Sequence, residues 1–163
     1  LQAEKFAQQY ANNGVQVIGL RYFNVFGIGQ NPNYAGVIPK FIERLLDNRS
    51  PIIEGDGTQV RNFTYIDDIV RANWMAFTSS VNHAFFNIAT GITTSVNDLA
   101  KIMINLADQN LKPEYVDSRP GDIKKSLADI NKAKKLLNYE PVVNFDDGLK
   151  QTVNWLIKQD EKN

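Results

Sequence analysis

The chain has 163 residues, of which 43% are hydrophobic, and 18 basic side chains balance 18 acidic ones. These values predict one soluble domain with its own core, and the balanced charge argues against nucleic acid or an acidic membrane surface as a partner. The sequence has no cysteine and a single histidine, which excludes disulfides, thiolate metal sites and histidine metal clusters. It has no long apolar run and no signal-peptide pattern, so we expect a cytoplasmic protein.

The first elements predict a helix, a strand and a loop. Apolar residues recur at helical spacing over residues 1–11, and no capping residue precedes Leu1, so we interpret the start as lying within a longer helix of a longer chain. The mostly apolar run from Val15 to Leu20 predicts a buried parallel strand. The Gly, Asn and Pro content of Gly27 to Tyr34 predicts a loop.

The middle of the chain predicts a helix, two paired strands and a second helix. The inward face of the first helix consists of Ile38, Phe41, Ile42, Leu45 and Leu46. The runs Pro51–Glu54 and Gln59–Thr64 flank Gly55-Asp56-Gly57 and predict a β-hairpin. The second helix extends from about Ile66 to Phe77, and its expected buried side chains are Ile66, Ile69, Val70, Trp74 and Phe77.

The last part of the chain predicts one strand and three helices. The strand is Ala84–Ile88, and the helices begin after Ser95, after Asp129 and near Phe145, with Ser95 and Asp129 as caps. Arg119-Pro120-Gly121-Asp122 predicts a loop. No linker divides the chain, so the pattern indicates a single α/β unit.

Several residues could carry chemistry. Arg21, Tyr22 and Asn24 come directly after the first predicted strand, where open α/β sheets bind ligands. Arg61 and Arg119 could clamp a diphosphate, since arginine binds phosphate in a bidentate manner, or they could be ordinary surface residues.

Two other patterns favour a structural interpretation. Gly27-Ile28-Gly29 lacks the third glycine and the following helix of a dinucleotide fingerprint. Asp67-Asp68 could be an acid/base pair, but adjacent residues do not face each other on a helix, and acidic residues are favoured at helix starts. We therefore assign no catalytic residue and no metal ligand.

Motifs along the whole chain resemble those of one family. In order they are Arg21-Tyr22-Phe23-Asn24-Val25-Phe26-Gly27, Gln30-Asn31-Pro32-Asn33, Val37-Ile38-Pro39-Lys40-Phe41, Gly55-Asp56-Gly57, Arg61 to Asp68, Asn87 to Gly91, Arg119 to Asp122 and Ser126 to Asp129. They resemble the C-terminal half of extended short-chain dehydrogenase/reductases, specifically the NAD-dependent nucleotide-sugar epimerases and dehydratases. The similarity is greatest to UDP-glucose and UDP-N-acetylglucosamine 4-epimerases, which oxidise the sugar at C4, rotate the ketone and return hydride to the other face.

The resemblance implies that residues 1–163 are the C-terminal part of a Rossmann-like doubly wound sheet plus a small α/β substrate-binding subdomain. The NAD-binding half, with its glycine fingerprint and catalytic Tyr-x-x-x-Lys, is expected before Leu1. We therefore expect the chain alone to be inactive. The intact protein is expected to bind NAD and a UDP-sugar and to form a homodimer. The Phe6/Tyr10 face of the first helix would suit a dimer interface and would equally suit packing in a core.

The resemblance also assigns site residues. Those expected near the nicotinamide are Tyr22 and Phe23. The diphosphate of the substrate is expected to be bound by Asn24, Arg61 and Arg119. The nucleotide is expected at Gly36 and Val37, with its uracil at Ile52, Ile53 and Glu54 and its ribose at Asp122. The sugar is expected at Ser126.

Two positions depart from the family pattern. Asn62 stands where aspartate is commoner, and Ser126 stands where epimerases restricted to unacetylated hexoses carry a bulky tyrosine. The small serine predicts room for an N-acetyl group, although dehydratase relatives also carry small residues there. The alternatives are a nucleotide-sugar 4,6-dehydratase or decarboxylase on the same scaffold, and a non-catalytic sugar-nucleotide-binding module.

Overall fold

A computed structural model describes residues 2–31 and 36–160. Residues 32–35, which include part of the predicted loop Gly27 to Tyr34 and of the Gln30–Asn33 motif, lie outside the described residues. The helices are α1 Gln2–Asn12, α2 Val37–Leu46, α3 Ile66–Thr78, α4 Val96–Leu106, α5 Asn131–Leu137 and α6 Phe145–Asp160. The strands are β1 Ile18–Tyr22, β2 Val25–Phe26, β3 Ile52–Glu54, β4 Val60–Arg61, β5 Thr64–Tyr65, β6 Ala84–Ile88, β7 Thr94–Ser95 and β8 Glu114–Val116.

The strands pair mostly in parallel across long stretches of chain. β1 pairs with β6, β2 with β5 and β3 with β8, all in parallel, whereas β4 and β7 are antiparallel. Helix α3 lies between β1 and β6 in sequence and packs against this pair together with α5. Parallel strands joined through helices confirm the predicted α/β class.

The first strand differs from its predicted bounds. It begins at Ile18, later than expected, because the amide of Val15 still bonds to the Tyr10 carbonyl at the end of α1 (3.2 Å). It also continues through Arg21 and Tyr22. The opening part of the Arg21–Gly27 motif therefore belongs to the strand, whereas the sequence placed it directly after the strand.

The predicted hairpin around Gly55–Gly57 is wrong. The strand before the turn pairs with β8 and the strand after it pairs with β7. Gly57 lies against α4, because it has φ +72 and a side chain placed there would collide with Asn97 at the start of that helix. The turn is therefore packed against α4 and directs the two strands to different partners.

The predicted buried face of α3 is partly wrong. Val70, Trp74 and Phe77 are 60%, 66% and 82% exposed. The helix buries the predicted Ile69 together with Asp68, Ala72 and Ala76, and the small alanine side chains allow a close approach to the sheet. Phe6 and Tyr10 of α1 are also exposed.

Two main clusters form the core. The larger one lies between α2, α4, α6 and β3, and the second lies between the β1–β6 pair, α3 and α5. The predicted cap at Ser95 is confirmed, since Ser95 Oγ accepts from the Asp98 amide (3.0 Å). The predicted cap at Asp129 is wrong, because the N-cap of α5 is Ile130, although Asp129 Oδ1 accepts from the Asn131 amide (2.9 Å). None of the helices in the described ranges is long and apolar enough to cross a membrane.

Candidate functional site

A cavity of about 370 Å³ opens at the start of α2, next to β3 and β4. It brings together most of the residues proposed from the sequence for substrate binding, namely Asn24, Gly36, Val37, Ile52, Glu54, Arg61, Arg119 and Asp122. These residues come from separate elements along the chain, and together they form one wall and the rim of the cavity.

Four of the proposed site residues do not line this cavity. Ile53 is fully buried and belongs to the core. The Tyr22 hydroxyl is 2.9 Å from Asn73 Oδ1 on α3, and Phe23 packs against the small cluster formed by Ala89, Ala128 and Ile130. Ser126 lies near the cavity, because its amide donates to the carbonyl of Val60 (3.1 Å), the neighbour of Arg61.

The cavity also includes residues that the sequence reasoning did not select. The polar ones are Gln30, Lys40 and Gln59, and the aromatic ones are Phe26, Phe41 and Phe63. Lys40 could have been identified from the sequence, since it lies one helical turn after Val37 and therefore on the same face of the helix. The aromatic side chains form an apolar floor beneath a polar rim.

Arg61 is the most firmly held cation of the site. Its side chain is 18% exposed, and Nη2 lies 2.6 Å from Asp122 Oδ1. Its Nη1 donates to the carbonyls of Ile123 (2.5 Å) and Val60 (3.1 Å). Because β4 pairs with β7, the backbone that carries this guanidinium is also fixed.

Arg119 sits on a turn that follows β8. The Asp122 amide donates to the Arg119 carbonyl (3.2 Å), and Gly121 adopts the left-handed conformation (φ +81) that this turn requires. The Arg119 side chain is 62% exposed, and its Nη2 lies 2.5 Å from Glu54 Oε1. The two arginines are thus each paired with a carboxylate on the same rim.

Asn24 connects the Arg21–Gly27 motif to β4. It has φ +33, and its Nδ2 donates to the carbonyl of Asn62 (3.0 Å). Asn62 is fully buried, and its Oδ1 accepts from the Thr90 amide (3.0 Å) and hydroxyl (2.9 Å). These bonds use the oxygen that an aspartate would also offer, so the Asn62 departure keeps the acceptor.

Gly27 ends the motif at a point of close approach. A Cβ there would lie 2.6 Å from Ile66 Cγ2, and its φ of +143 disfavours any other residue. The motif therefore fixes how β2 packs against the start of α3.

Asp67 and Asp68 do not form an acid/base pair facing one site, as their adjacent positions at a helix start predicted. Asp68 is fully buried and accepts from the amides of Val142 (2.9 Å) and Val143 (3.3 Å), whereas Asp67 is exposed. Neither residue lines the cavity. Within residues 2–31 and 36–160 no cluster of His, Asp or Glu side chains could hold a metal ion.

The arrangement suits a ligand with a negatively charged centre and an apolar or flat part. The guanidinium groups of Arg61 and Arg119 and the ammonium of Lys40 supply positive charge, and arginine forks match phosphate oxygens. The start of α2 at Gly36 and Val37 adds free backbone amides and the positive end of the helix dipole.

Comparison with known proteins agrees with this arrangement. The family described as the NAD dependent epimerase/dehydratase family matches residues 1–89. A putative UDP-glucose 4-epimerase of Methanocaldococcus jannaschii is 40% identical over 88% of the chain and 46% of its own length. Nucleotide-sugar decarboxylases and dehydratases also match.

Solved structures share the fold. The UDP-glucose 4-epimerase of Thermotoga maritima, solved with UDP-glucose, has a TM-score of 0.92 at 39% identity. The UDP-N-acetylglucosamine 4-epimerase of Methanobrevibacter ruminantium, solved with UDP-N-acetylmuramic acid, has the same TM-score and identity. Both alignments cover 97% of this chain and 52% of the solved chain.

The chain spans about half the length of the curated relatives it matches. Its parallel α/β pairs and the solved relatives confirm the predicted Rossmann-like α/β fold. The chain belongs to the NAD dependent epimerase/dehydratase family.

Proposed function

We propose that this chain is the substrate-binding half of an NAD-dependent 4-epimerase that acts on UDP-hexoses or UDP-N-acetylhexosamines. The observation that carries the proposal is the convergence of Arg61 and Arg119 on one cavity with the start of α2. The matching 4-epimerases support the reaction class.

The cavity offers a separate contact for each part of a UDP-sugar. Arg61, Arg119 and the amides at Gly36 and Val37 hold the diphosphate, because guanidinium forks and helix starts both favour phosphate. Ile52 and Glu54 contact the uracil, and Asp122 contacts the ribose, while Asn24 lies beside the diphosphate. Firm anchoring of the nucleotide leaves the sugar free to turn, which a 4-epimerase requires.

NAD fits only one edge of the described residues. The half-exposed ring of Tyr22 and the adjacent Phe23 stand at the carboxyl end of β1 and offer a flat apolar edge for the nicotinamide. The described residues contain no glycine-rich turn at a helix start that would cradle its phosphates. When bound, NAD supplies reversible hydride transfer at the sugar C4.

The chain alone is inactive in this proposal. Its part is to bind and orient the UDP-sugar, and no residue of the cavity is assigned an acid/base role. The phosphate cradle for NAD and the acid/base groups belong to the other half of the intact enzyme.

The intact enzyme is proposed to be a homodimer. Phe6 and Tyr10 are each 62% exposed on α1, and their spacing places them on one face of the helix. Apolar rings on one helix face favour burial against a second copy.

The proposed substrates include N-acetylated sugars. The amide of Ser126 bonds to the carbonyl of Val60, next to Arg61 of the cavity, and the proposal gives its small side chain the place that a bulky tyrosine would fill. The relative solved with UDP-N-acetylmuramic acid supports this choice.

A decarboxylase or a 4,6-dehydratase is the second candidate. It is favoured by the matching UDP-N-acetyl-α-D-glucosaminuronate decarboxylase of Bacillus cytotoxicus and by the matching dTDP-D-glucose 4,6-dehydratases. These activities use the same type of substrate and share hydride transfer at the sugar. A non-catalytic sugar-nucleotide-binding module is the third candidate, and it requires no NAD.

The test is product analysis by NMR after incubating the full-length protein with NAD and UDP-N-acetylglucosamine. The 4-epimerase proposal predicts conversion to UDP-N-acetylgalactosamine up to an equilibrium mixture. Loss of water to a 4-keto sugar, or release of carbon dioxide from a UDP-glucuronate substrate, would instead identify a dehydratase or a decarboxylase. Absence of any product, with UDP still bound, would leave the binding module, and turnover by residues 1–163 alone would contradict the division into halves.

A further inference from the structure

The two arginines of the cavity differ in how they are held. Arg61 is 18% exposed and bonds to Asp122 and to the carbonyls of Ile123 and Val60. Arg119 is 62% exposed, and its ion pair with Glu54 is the contact that holds it at the rim. Arg61 is thus a fixed anchor, whereas Arg119 can move once Glu54 releases it.

Glu54 is the fixed partner in that pair. Its backbone lies in β3, which pairs with β8, and its carbonyl accepts from Gln59 Nε2 (2.8 Å). The amide of the next residue, Gly55, donates to the carbonyl of Val116 (2.9 Å). The backbone that carries the Glu54 side chain, itself 33% exposed, is therefore fixed on the cavity wall.

The carboxylates neutralise both guanidinium groups before any ligand arrives. Glu54 and Asp122 carry two negative charges beside the two positive charges of Arg119 and Arg61. An anionic diphosphate must therefore compete with Glu54 for Arg119. An exposed ion pair contributes little stability, whereas phosphate oxygens offer charge-assisted and bidentate bonds, so the exchange favours phosphate.

We propose that Glu54 is a positioning residue that holds Arg119 at the cavity rim and yields it to the diphosphate of the incoming sugar nucleotide. The inference rests on the proposed function, because it needs a diphosphate ligand in this cavity. It assigns Glu54 a role beyond lining the uracil end, since its carboxylate sets the affinity for the phosphate part of the ligand.

The test is isothermal titration of the full-length protein with UDP and with uridine. Glu54→Gln keeps the size of the side chain and removes its charge, so UDP should bind about two- to fivefold more tightly, as expected from losing one exposed ion pair as a competitor. Uridine has no phosphate for Arg119, so its affinity reports only the contact of Glu54 with the uracil, and the gain for UDP should exceed any change for uridine. The matched control is Glu114→Gln, which removes an exposed carboxylate that pairs with Arg44 outside the cavity and should change neither affinity.

The Arg119→Ala background separates this role from general charge repulsion. If Glu54 acts through Arg119, Glu54→Gln should have no effect on UDP affinity once Arg119 is absent. An equal gain in both backgrounds, or unchanged or weaker UDP binding by Glu54→Gln alone, would overturn the inference. A wild-type protein that binds neither UDP nor uridine would overturn the proposed function as well.

Discussion

Arg61 and Asp122 form an ion pair, with 2.6 Å between Nη2 and Oδ1, that joins β4 to the turn carrying Arg119. The second guanidinium nitrogen of Arg61 bonds to the carbonyl of Ile123 in the same segment. One side chain thus supplies positive charge to the cavity and also holds the turn that brings the second arginine. Loss of Arg61 should therefore have two consequences, one for ligand binding and one for the turn.

Arg61→Ala should weaken UDP binding by the full-length protein about tenfold or more, because hydrogen bonds to charged groups contribute about 1.5–3 kcal/mol. It should also raise the amide hydrogen-exchange rate of residues 119–123, since their tie to β4 is lost. Calorimetry and exchange mass spectrometry measure the two effects. Arg49→Ala is the control, because Arg49 pairs with Asp47 away from the cavity, and unchanged exchange in Arg61→Ala would contradict the second role.

Asp68→Ala should lower the free energy of unfolding by about 2 kcal/mol or more, because the amides of Val142 and Val143 lose a charged acceptor. Asp67→Ala is the matched control, since Asp67 is exposed, and it should cost well under 1 kcal/mol. Urea unfolding of the full-length protein measures both. A normal stability for Asp68→Ala together with a lost activity would instead favour an acid/base role.

Tyr139 should make stability fall at alkaline pH. Burial, with the nearby Asp68 carboxylate adding to it, raises the pKa of the Tyr139 hydroxyl above its ordinary value, and the hydroxyl donates to the Ala89 carbonyl (3.1 Å). The stabilisation is complete below the unfolded pKa of about 10 and is lost as the pH rises toward the folded pKa, because only the unfolded chain then releases the proton.

Tyr139→Phe should therefore cost about 1 kcal/mol at neutral pH through the lost hydrogen bond and should flatten the alkaline loss. The free energy of unfolding, measured from about pH 8 to about pH 11, checks both effects. Tyr115→Phe is the control, because Tyr115 is 56% exposed. An unchanged pH slope in Tyr139→Phe would contradict the burial argument.

Ser126→Tyr should reduce kcat/KM for UDP-N-acetylglucosamine more than for UDP-glucose in the full-length enzyme, because the larger ring takes the space proposed for the N-acetyl group. Ser126→Ala is the conservative control and should preserve both activities. Coupled assays with the two substrates measure the ratio. A similar loss for both sugars would count against a role for Ser126 in substrate choice.

Local sequence patterns predicted where the helices lie better than they predicted which faces of the helices are buried. The spacing of Ile38, Phe41 and Leu45 correctly gave the buried face of α2, because that helix has one apolar stripe, whereas Leu46, also expected on that face, is exposed. In α3 the apolar side chains occupy more than one face, and periodicity alone does not show that the alanines and Asp68 pack inward while Trp74 points outward.

Contacts between distant segments were beyond sequence reasoning. The hairpin around Gly55–Gly57 was expected from local turn chemistry, yet β3 and β4 take partners far along the chain. The resemblance selected Arg119 and Glu54 for different parts of a ligand, but only the packing of β3 against β8 brings them together. The residues were thus identified from the sequence, whereas their pairing required the fold.

The most direct test is a crystal structure of the full-length protein with UDP-N-acetylglucosamine. The account predicts the diphosphate in the cavity, with phosphate oxygens about 3 Å from the guanidinium groups of Arg61 and Arg119, and with Arg119 detached from Glu54. A diphosphate bound elsewhere, with Arg119 still on Glu54, would contradict it.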